Sequence, residues 1–384
     1  MQKLILPLVV LSALAPTSAA KTLCIASIAL VLLYGLRLRT LSKHLKWKLA
    51  ISLLFLPGFL NALLVSPENL VRFAPVFLLS WLYPYDPISV DIKLLRAACF
   101  ASVCWLVVGQ IFLALGNPGM VAIRDNYYPI DFNGWNYGIT ETIVQGFGEF
   151  RAGGVYYNPN VLAGNIFLAY LPLYILRNYS EMQEKWSAHF PSLFHISTFM
   201  AGLGIFLTAT RSYIVPFALL FLLPNLYSLI RLIISLRFSF RHFSLVFACI
   251  ILFSLVSERL LQGFDADSSG SAAIKNQILS SYIDSVDVNH LIFGGFYNLQ
   301  FDAEYGYWLG SAGVLGLLAV LLFYFMIVAN SSASAPIILL FLLIGIGNTL
   351  LYGLLTATLI IPVIILLARE SFIAQPGIIH IGEK

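Results

Sequence analysis

Charge is what this chain has least of. Lys, Arg, Asp and Glu make up 10% of its 384 residues, 59% are hydrophobic, and the mean hydropathy is +0.87. That balance excludes a soluble globular domain, in which about a quarter of the residues are charged. Cysteine is scarce as well. Cys24, Cys99, Cys104 and Cys249 all fall within apolar stretches, where they act as small packing residues, so no disulfide scaffold or cysteine metal framework is indicated. The motifs HExxH, CxxC, GxxxxGK[ST] and GxSxG do not occur, which removes any basis for zinc-peptidase, P-loop or serine-hydrolase chemistry. Internal repeats of roughly 20 to 50 residues and two-half symmetry are also missing.

What is present is long apolar runs. Crossing about 30 Å of hydrocarbon takes roughly 17 to 25 apolar residues in a helix. About twelve runs meet or approach that length: 4–20, 22–36, 49–65, 70–84, 97–115, 161–176, 193–209, 212–230, 243–257, 307–328, 336–350 and 353–368. Arg72 and Pro75 interrupt the fourth. The last two are one apolar run broken by Gly345, Gly347, Asn348 and Gly353, which reads as a tight hairpin. The expectation is an all-α polytopic membrane protein with roughly 11 to 13 transmembrane helices, residues 1–384 forming a single membrane domain.

Basic loops retained on the cytoplasmic side set the orientation. Placing Arg37, Arg39, Lys43, Lys46 and Lys48 inside puts 15 of the 22 basic residues there, with both termini cytoplasmic. The other seven face outward with twelve carboxylates, so the outer face is net negative by five although the chain totals +4. The formal charge therefore reflects topology and not a nucleic-acid partner. Lys3, the apolar run after it and Ser18-Ala19-Ala20 also fit a cleaved secretory signal. An uncleaved first span satisfies the charge rule equally well, and the next apolar run begins at once.

Two outer segments, 116–160 and 258–306, are longer than connections need to be. The first carries Tyr127, Tyr128, Trp135, Tyr137, Tyr156 and Tyr157 with Arg124, Asp125, Asp131, Glu141, Glu149 and Arg151. The second mixes Ser and Gly with Glu258, Arg259, Asp265, Asp267, Asp284, Asp287, Asp302 and Glu304. Aromatic faces bordered by carboxylates and amides suit sugar rings, which stack on one side and need directional partners for their hydroxyls. An interfacial aromatic belt accounts for the same Tyr and Trp residues without a ligand.

Three constellations lie where these segments meet the spans. In Arg151-Ala-Gly-Gly-Val-Tyr-Tyr-Asn158-Pro159-Asn160 polar residues run straight into the sixth span, with Asn160 as the candidate cap. A helix N-terminus, an arginine upstream and a glycine pair that lets backbone come close describe an anion site. Capping by Asn and snorkelling by Arg151 is the alternative.

Leu207-Thr208-Ala209-Thr210-Arg211-Ser212 forms a very short outer turn between two spans. The arginine fork binds phosphate bidentately, and a guanidinium costs about 2.5 to 3.5 kcal/mol even at the bilayer centre. An interfacial anchor explains it too. The third constellation runs from Phe293-Gly294-Gly295-Phe296 through Asp302-Ala303-Glu304-Tyr305 to Gly310, Gly313 and Gly316. In a helix Asp302 and Glu304 would diverge by about 200°, so one of them faces a given site, either as general base or as a solvated loop acid. Gly313 and Gly316 read as close-packing residues. His195, in the seventh span, and His290 read as structural.

RAGGVYYNPNVLAG at 151–164, LTATRS at 207–212 and FGGFYNLQFDAEYGYWLGSAGVLGLL at 293–318, in that order, resemble the bacterial O-antigen polymerase and O-antigen ligase superfamily of integral membrane glycosyltransferases. The resemblance covers roughly the C-terminal two-thirds, and residues 1–115 contribute only topology. It implies a GT-C-like helical fold in the inner membrane whose two long periplasmic loops meet undecaprenyl-diphosphate-linked glycans, a donor and an acceptor, beside membrane lipid. Arg151 and Arg211 would hold the donor diphosphate, with Asn160 in the surrounding pocket.

Asn158, Arg124, Glu149, Thr210, Tyr305 and Arg259 are the further candidates for substrate contact. Glu304 or Asp302 would take the acceptor proton, with Glu149 as an outside choice. No metal or other cofactor is called for, because the diphosphate leaving group is already activated. A chain-length regulator and a repeat-unit flippase are the implied protein partners. Ligases typically carry a histidine where this chain reads Asp302-Ala303-Glu304, so the polymerase branch is favoured over the ligase. From another class, a lipid-linked-glycan flippase or other transporter predicts ionisable groups along the bundle interior, and apart from His195 the spans offer none.

Overall fold

The computed structural model describes residues 44–65, 73, 76, 77, 79–81, 83, 92–127, 154–156, 159–177, 191–208, 210, 212–220, 280–295, 304–330, 335–347, 361 and 364. The expected spans 4–20, 22–36 and 243–257, most of 353–368 and the larger part of both long outer segments lie outside the described residues. Among the described residues every element is helical: α1 (Leu45–Val65), α2 (Ile92–Ala114), α3 (Pro118–Tyr127), a 3-10 turn (Gly154–Tyr156), α4 (Pro159–Arg177), α5 (Pro191–Leu207), α6 (Val288–Phe293), α7 (Glu304–Asn330) and α8 (Ala335–Gly347). Residues 212–220 are helical too. Four of these helices, α1, α2, α4 and α7, are long and apolar enough to cross a membrane.

The first outer segment does not begin as a loop, and local chemistry explains why. Gly116, at φ 70°, ends α2 by giving its N–H to the Leu113 carbonyl while Asn117 N–H reaches that of Phe112. Asn117 then caps the next helix by accepting from Met120 N–H at 3.1 Å, and Pro118 opens α3 at the one position where its missing N–H is harmless.

Packing joins α1 to α7 and α6, and α2 to α4 and α5, while Phe73 and Trp81 meet α1 at Phe55 and Ser52. Trp47 meets Phe325 near one end of α1 and Phe55 meets Gly316 further along, so α1 and residues 314–330 of α7 run in opposite directions. Arg96 donates to the Leu176 carbonyl at 2.9 Å while Gln110 Nε2 donates to that of Gly204 at 3.2 Å, which sets α2 against α4 and beside α5. The Tyr170 and Thr198 hydroxyls, 2.9 Å apart, tie α4 to α5. Buried on almost every side, α4 is the centre of its group. By contrast α1 leaves Leu53, Leu56, Leu60 and Leu64 exposed, a stripe suited to lipid.

The tenth expected span is not one straight rod. A straight helix would separate Glu304 from Tyr324 by about 30 Å. Yet the Glu304 carboxylate lies within electrostatic range of the Tyr324 phenol, and Tyr305 donates its hydroxyl to the Leu342 carbonyl of α8 at 2.6 Å. Gly313, at φ 68° and ψ −172°, accounts for this by letting leg 304–312 fold towards leg 314–330. Gly313 was expected only as a close-packing residue; it is the break itself.

Polar backbone freed by such a break must find protein partners where no water reaches. Gly295 N–H donates to the Ser311 carbonyl at 3.3 Å, and Asn61 Nδ2 donates to the Gly294 carbonyl at 3.2 Å. The backbones touch so closely that a Cβ on Gly294 would collide with the Ser311 carbonyl oxygen, and one on Gly313 with that of Ile292. Gly116 has a similar φ but open space around it. Gly116→Ala should therefore cost only the left-handed backbone penalty of about 1–2 kcal/mol. Gly313→Ala should cost clearly more, read as a larger drop in the melting temperature of the purified protein; equal drops would mean that the docking carries no weight.

Candidate functional site

The corner between α5 and helical residues 212–220 is built from threonines. Thr208 Oγ1 donates to the Ile205 carbonyl at 2.6 Å and closes α5, and Thr210 N–H donates to Thr208 Oγ1 at 3.3 Å. The Thr210 carbonyl then accepts from Tyr213 and Ile214 N–H, starting the next helix. The corner is thus held by its own hydroxyls.

Pro159 is the first residue of α4, so Asn160 stands inside the first turn and is not the cap that was expected. Its side chain reaches sideways instead: Asn160 Oδ1 accepts from Thr210 Oγ1 at 3.2 Å, bringing two of the predicted residues together across fifty positions of sequence. Arg211, Arg151, Asn158, Glu149, Arg259 and Asp302 lie outside the described residues.

Glu304 departs from the solvated loop acid. It is the first residue of α7, 1% exposed, and its Oε1 accepts from Trp308 Nε1 at 2.5 Å, one turn along. Removing a carboxylate from water costs several kcal/mol, and one bond to a charged group returns about 1.5–3 kcal/mol. For an ionised Glu304 the indole alone does not balance burial, so other polar groups must share the carboxylate. Three phenols, Tyr213, Tyr305 and Tyr324, lie within its electrostatic range. Tyr305 packs beside Gly345 of α8, with its hydroxyl engaged by Leu342. Glu304 is therefore enclosed where α7 meets α8.

Sequence reasoning missed Tyr213. Its ring is 0% exposed and lies tilted against Phe167, centroids 5.9 Å apart. The signal was available: a phenol two residues after Arg211 at the head of an apolar run. Lys48 was also misplaced. Counted in the basic loop, it is 0% exposed in the first turn of α1 and donates to the Trp81 carbonyl at 2.9 Å. Trp81 Nε1 in turn donates to Ser52 Oγ at 2.8 Å, which binds the 73–81 residues to α1. His195, by contrast, is exposed on α5 with its ring edge-on to Phe194. Among the described residues, ionisable side chains do enter the helical interior at Glu304 and Lys48, whereas His195 is exposed.

Arg124, in the last turn of α3, donates through Nε to the adjacent Asp125 at 3.0 Å, an exposed pair of little energetic weight. Among the described residues no three His, Cys, Asp or Glu side chains gather as a metal ion would need.

His290 has a defined structural partner. Asp287 caps α6 by accepting from His290 N–H at 2.7 Å and also meets the His290 ring nitrogen at 2.7 Å. The His290 amide, and after it the ring, hold the Asp287 carboxyl below the usual carboxylate range. A depressed folded-state pKa stabilises above the unfolded value and is lost as pH falls through the folded one. Amide protection over 288–293 should accordingly be flat at neutral pH and fall only on strong acidification, measured by hydrogen exchange, and Asp287→Ala should abolish the pH dependence.

No protein-family model matches the chain, and no curated protein matches it.

Proposed function

We propose that the protein is a membrane glycosyltransferase of the O-antigen polymerase kind, joining undecaprenyl-diphosphate-linked oligosaccharide repeat units on the periplasmic side of the bacterial inner membrane. The observation that supports this reading most is the Asn160–Thr210 contact, which brings the start of α4 to the corner where Arg211 stands in sequence, together with the burial of the Glu304 carboxylate.

The chemistry divides among these groups. Arg211 and Arg151 grip the donor diphosphate and stabilise the charge that develops as it leaves. Glu304 takes the proton of the acceptor hydroxyl. Confinement of both lipid-linked substrates to one membrane surface supplies proximity. The product is a surface polysaccharide, with a chain-length regulator and a repeat-unit flippase as partners and no cofactor. Ligase activity towards lipid A core is the related alternative.

Glycan-ladder gels of a deletion strain carrying Arg211→Ala, Arg151→Ala or Glu304→Gln test this. Each variant should express normally yet reduce polymer at least about 100-fold, leaving a single repeat, since one lost transition-state donor costs about 10²–10³ in rate. Full-length polymer not joined to lipid A core would establish a ligase instead.

One observation favours a second reading. A broken helix with a buried acid is also how transporters hold ions near the bilayer midplane, and Glu304 on α7 fits that description. In that case Glu304→Gln would stop the repeat unit from reaching the periplasmic leaflet, where a lectin applied to spheroplasts detects it. Surface-exposed single repeats in that strain would exclude transport.

A further inference from the structure

The second outer segment turns apolar towards its end, where a water-borne loop would stay polar. On α6 the bonded pair Asp287 and His290 shares one face, while Val288 and Leu291 share the next and Phe293 closes the helix. Val288 is 70% exposed, and Leu291 and Phe293 are exposed as well. Residues 280–295 contain no Lys or Arg, so attraction to anionic headgroups does not account for such a face.

The depth of α6 follows from its contact with α1. At 21 residues α1 is about 31 Å long, enough to carry its last turn to the edge of roughly 30 Å of hydrocarbon, and that turn exposes Leu63, Leu64 and Val65, Leu64 by 83%. Asn61 stands about 6 Å in from Val65, and its Nδ2 donates to the Gly294 carbonyl at 3.2 Å. The C-terminal end of α6 therefore lies inside that edge, level with the exposed leucines of α1. Backbone at such a depth has to be bonded to protein. Here it is: Gly294 N–H donates to the His290 carbonyl at 2.8 Å, Gly295 N–H to that of Ser311 at 3.3 Å, and the Gly294 carbonyl is taken by Asn61. A loop in water would have no need of these bonds.

We propose that α6 is a re-entrant helix whose apolar face binds phospholipid acyl chains. It enters the leaflet at the Val65 end of α1 with the Asp287 carboxylate at the headgroups and with Val288, Leu291 and Phe293 progressively deeper among the chains. A carboxylate is far cheaper to keep at the boundary than inside, which fixes the direction of entry. Because α6 packs on α1, the two present their exposed apolar side chains to the same leaflet. Part of the outer segment 258–306 is thus held in the membrane and not in water. This does not depend on which reaction the protein performs.

The test uses the purified full-length protein in vesicles of phosphatidylethanolamine and phosphatidylglycerol, with the photoreactive residue benzoylphenylalanine at one exposed position at a time. Adducts are read by intact mass and located by fragmentation. Leu64→benzoylphenylalanine marks lipid, and Asp284→benzoylphenylalanine, ahead of α6, marks water. Illumination of the variants at Val288, Leu291 and Phe293 should add the mass of a phospholipid, attached through an acyl chain, at a yield close to that at Leu64 and severalfold above that at Asp284. No adduct at any of the three would mean that water covers the face, and crosslinks within the chain or to a second copy would mean that protein does; either result overturns the proposal. A missing phospholipid adduct at Leu64 would overturn it too, by removing the lipid-facing turn from which the depth of α6 is measured.

Discussion

Backbone groups in an apolar surrounding must be bonded within the protein, and the unusual features of this bundle follow from that demand. A helix satisfies it residue by residue, which is why the described elements are all helical and why the interruption at Gly313 needs so much support. Support comes from elsewhere in sequence. Gly295, just past α6, gives its amide to the Ser311 carbonyl, Asn61 of α1 holds the neighbouring Gly294 carbonyl, and the approach leaves no room for a side chain at Gly294 or Gly313. Where most of the bundle is held by apolar side chains, this junction is held by main chain.

The break has a chemical consequence as well as a structural one. Had 304–330 remained straight, Glu304 would stand about 30 Å from Tyr324, out in the aqueous boundary where a carboxylate is unremarkable. Folding at Gly313 carries it beside Gly345 of α8 and among three phenols, with the Trp308 indole bonded to it. Its surroundings are then set by neighbours on separate elements and not by water.

Much of the fold was legible from length and charge alone. Helices α1, α2, α4 and α5 fall within a few residues of the expected spans because an apolar run bounded by charged or turn-forming residues has few other solutions in lipid. What misled was local. Asn160 looked like a cap because Asn caps are common, but Pro159 already occupies the first helical position and shifts Asn160 inward, where its amide is free to meet Thr210. Lys48 read as loop because charge usually ends a span, whereas the Trp81 carbonyl gives its ammonium a partner one helix away. Asp302-Ala303-Glu304 read as an interfacial pair because nothing in a one-dimensional pattern reveals that Gly313 will turn the leg inward. Each miss depends on a partner between thirty and fifty residues distant, or on a backbone reversal, and neither leaves a periodic trace.

The inward leg also constrains how the domain assembles. Residues 304–312 rise about 14 Å as a helix, less than half of the roughly 30 Å hydrocarbon, so the leg cannot cross the membrane on its own. Carrying a carboxylate inward unaided would cost about 2.5–3.5 kcal/mol on insertion scales. Leg 314–330, at about 25 Å, comes close to spanning alone and packs on α1 where Gly316 meets Phe55 and Phe325 meets Trp47. The economical order is therefore for α1 and the second leg to pair first, offering Asn61 and the α6 glycines a surface to dock on, and for the first leg to be drawn in as Trp308 packs against Phe55 and Phe73. Glu304 then enters beside Gly345 of α8 with the Trp308 indole bonded to it, and does not have to meet bare lipid.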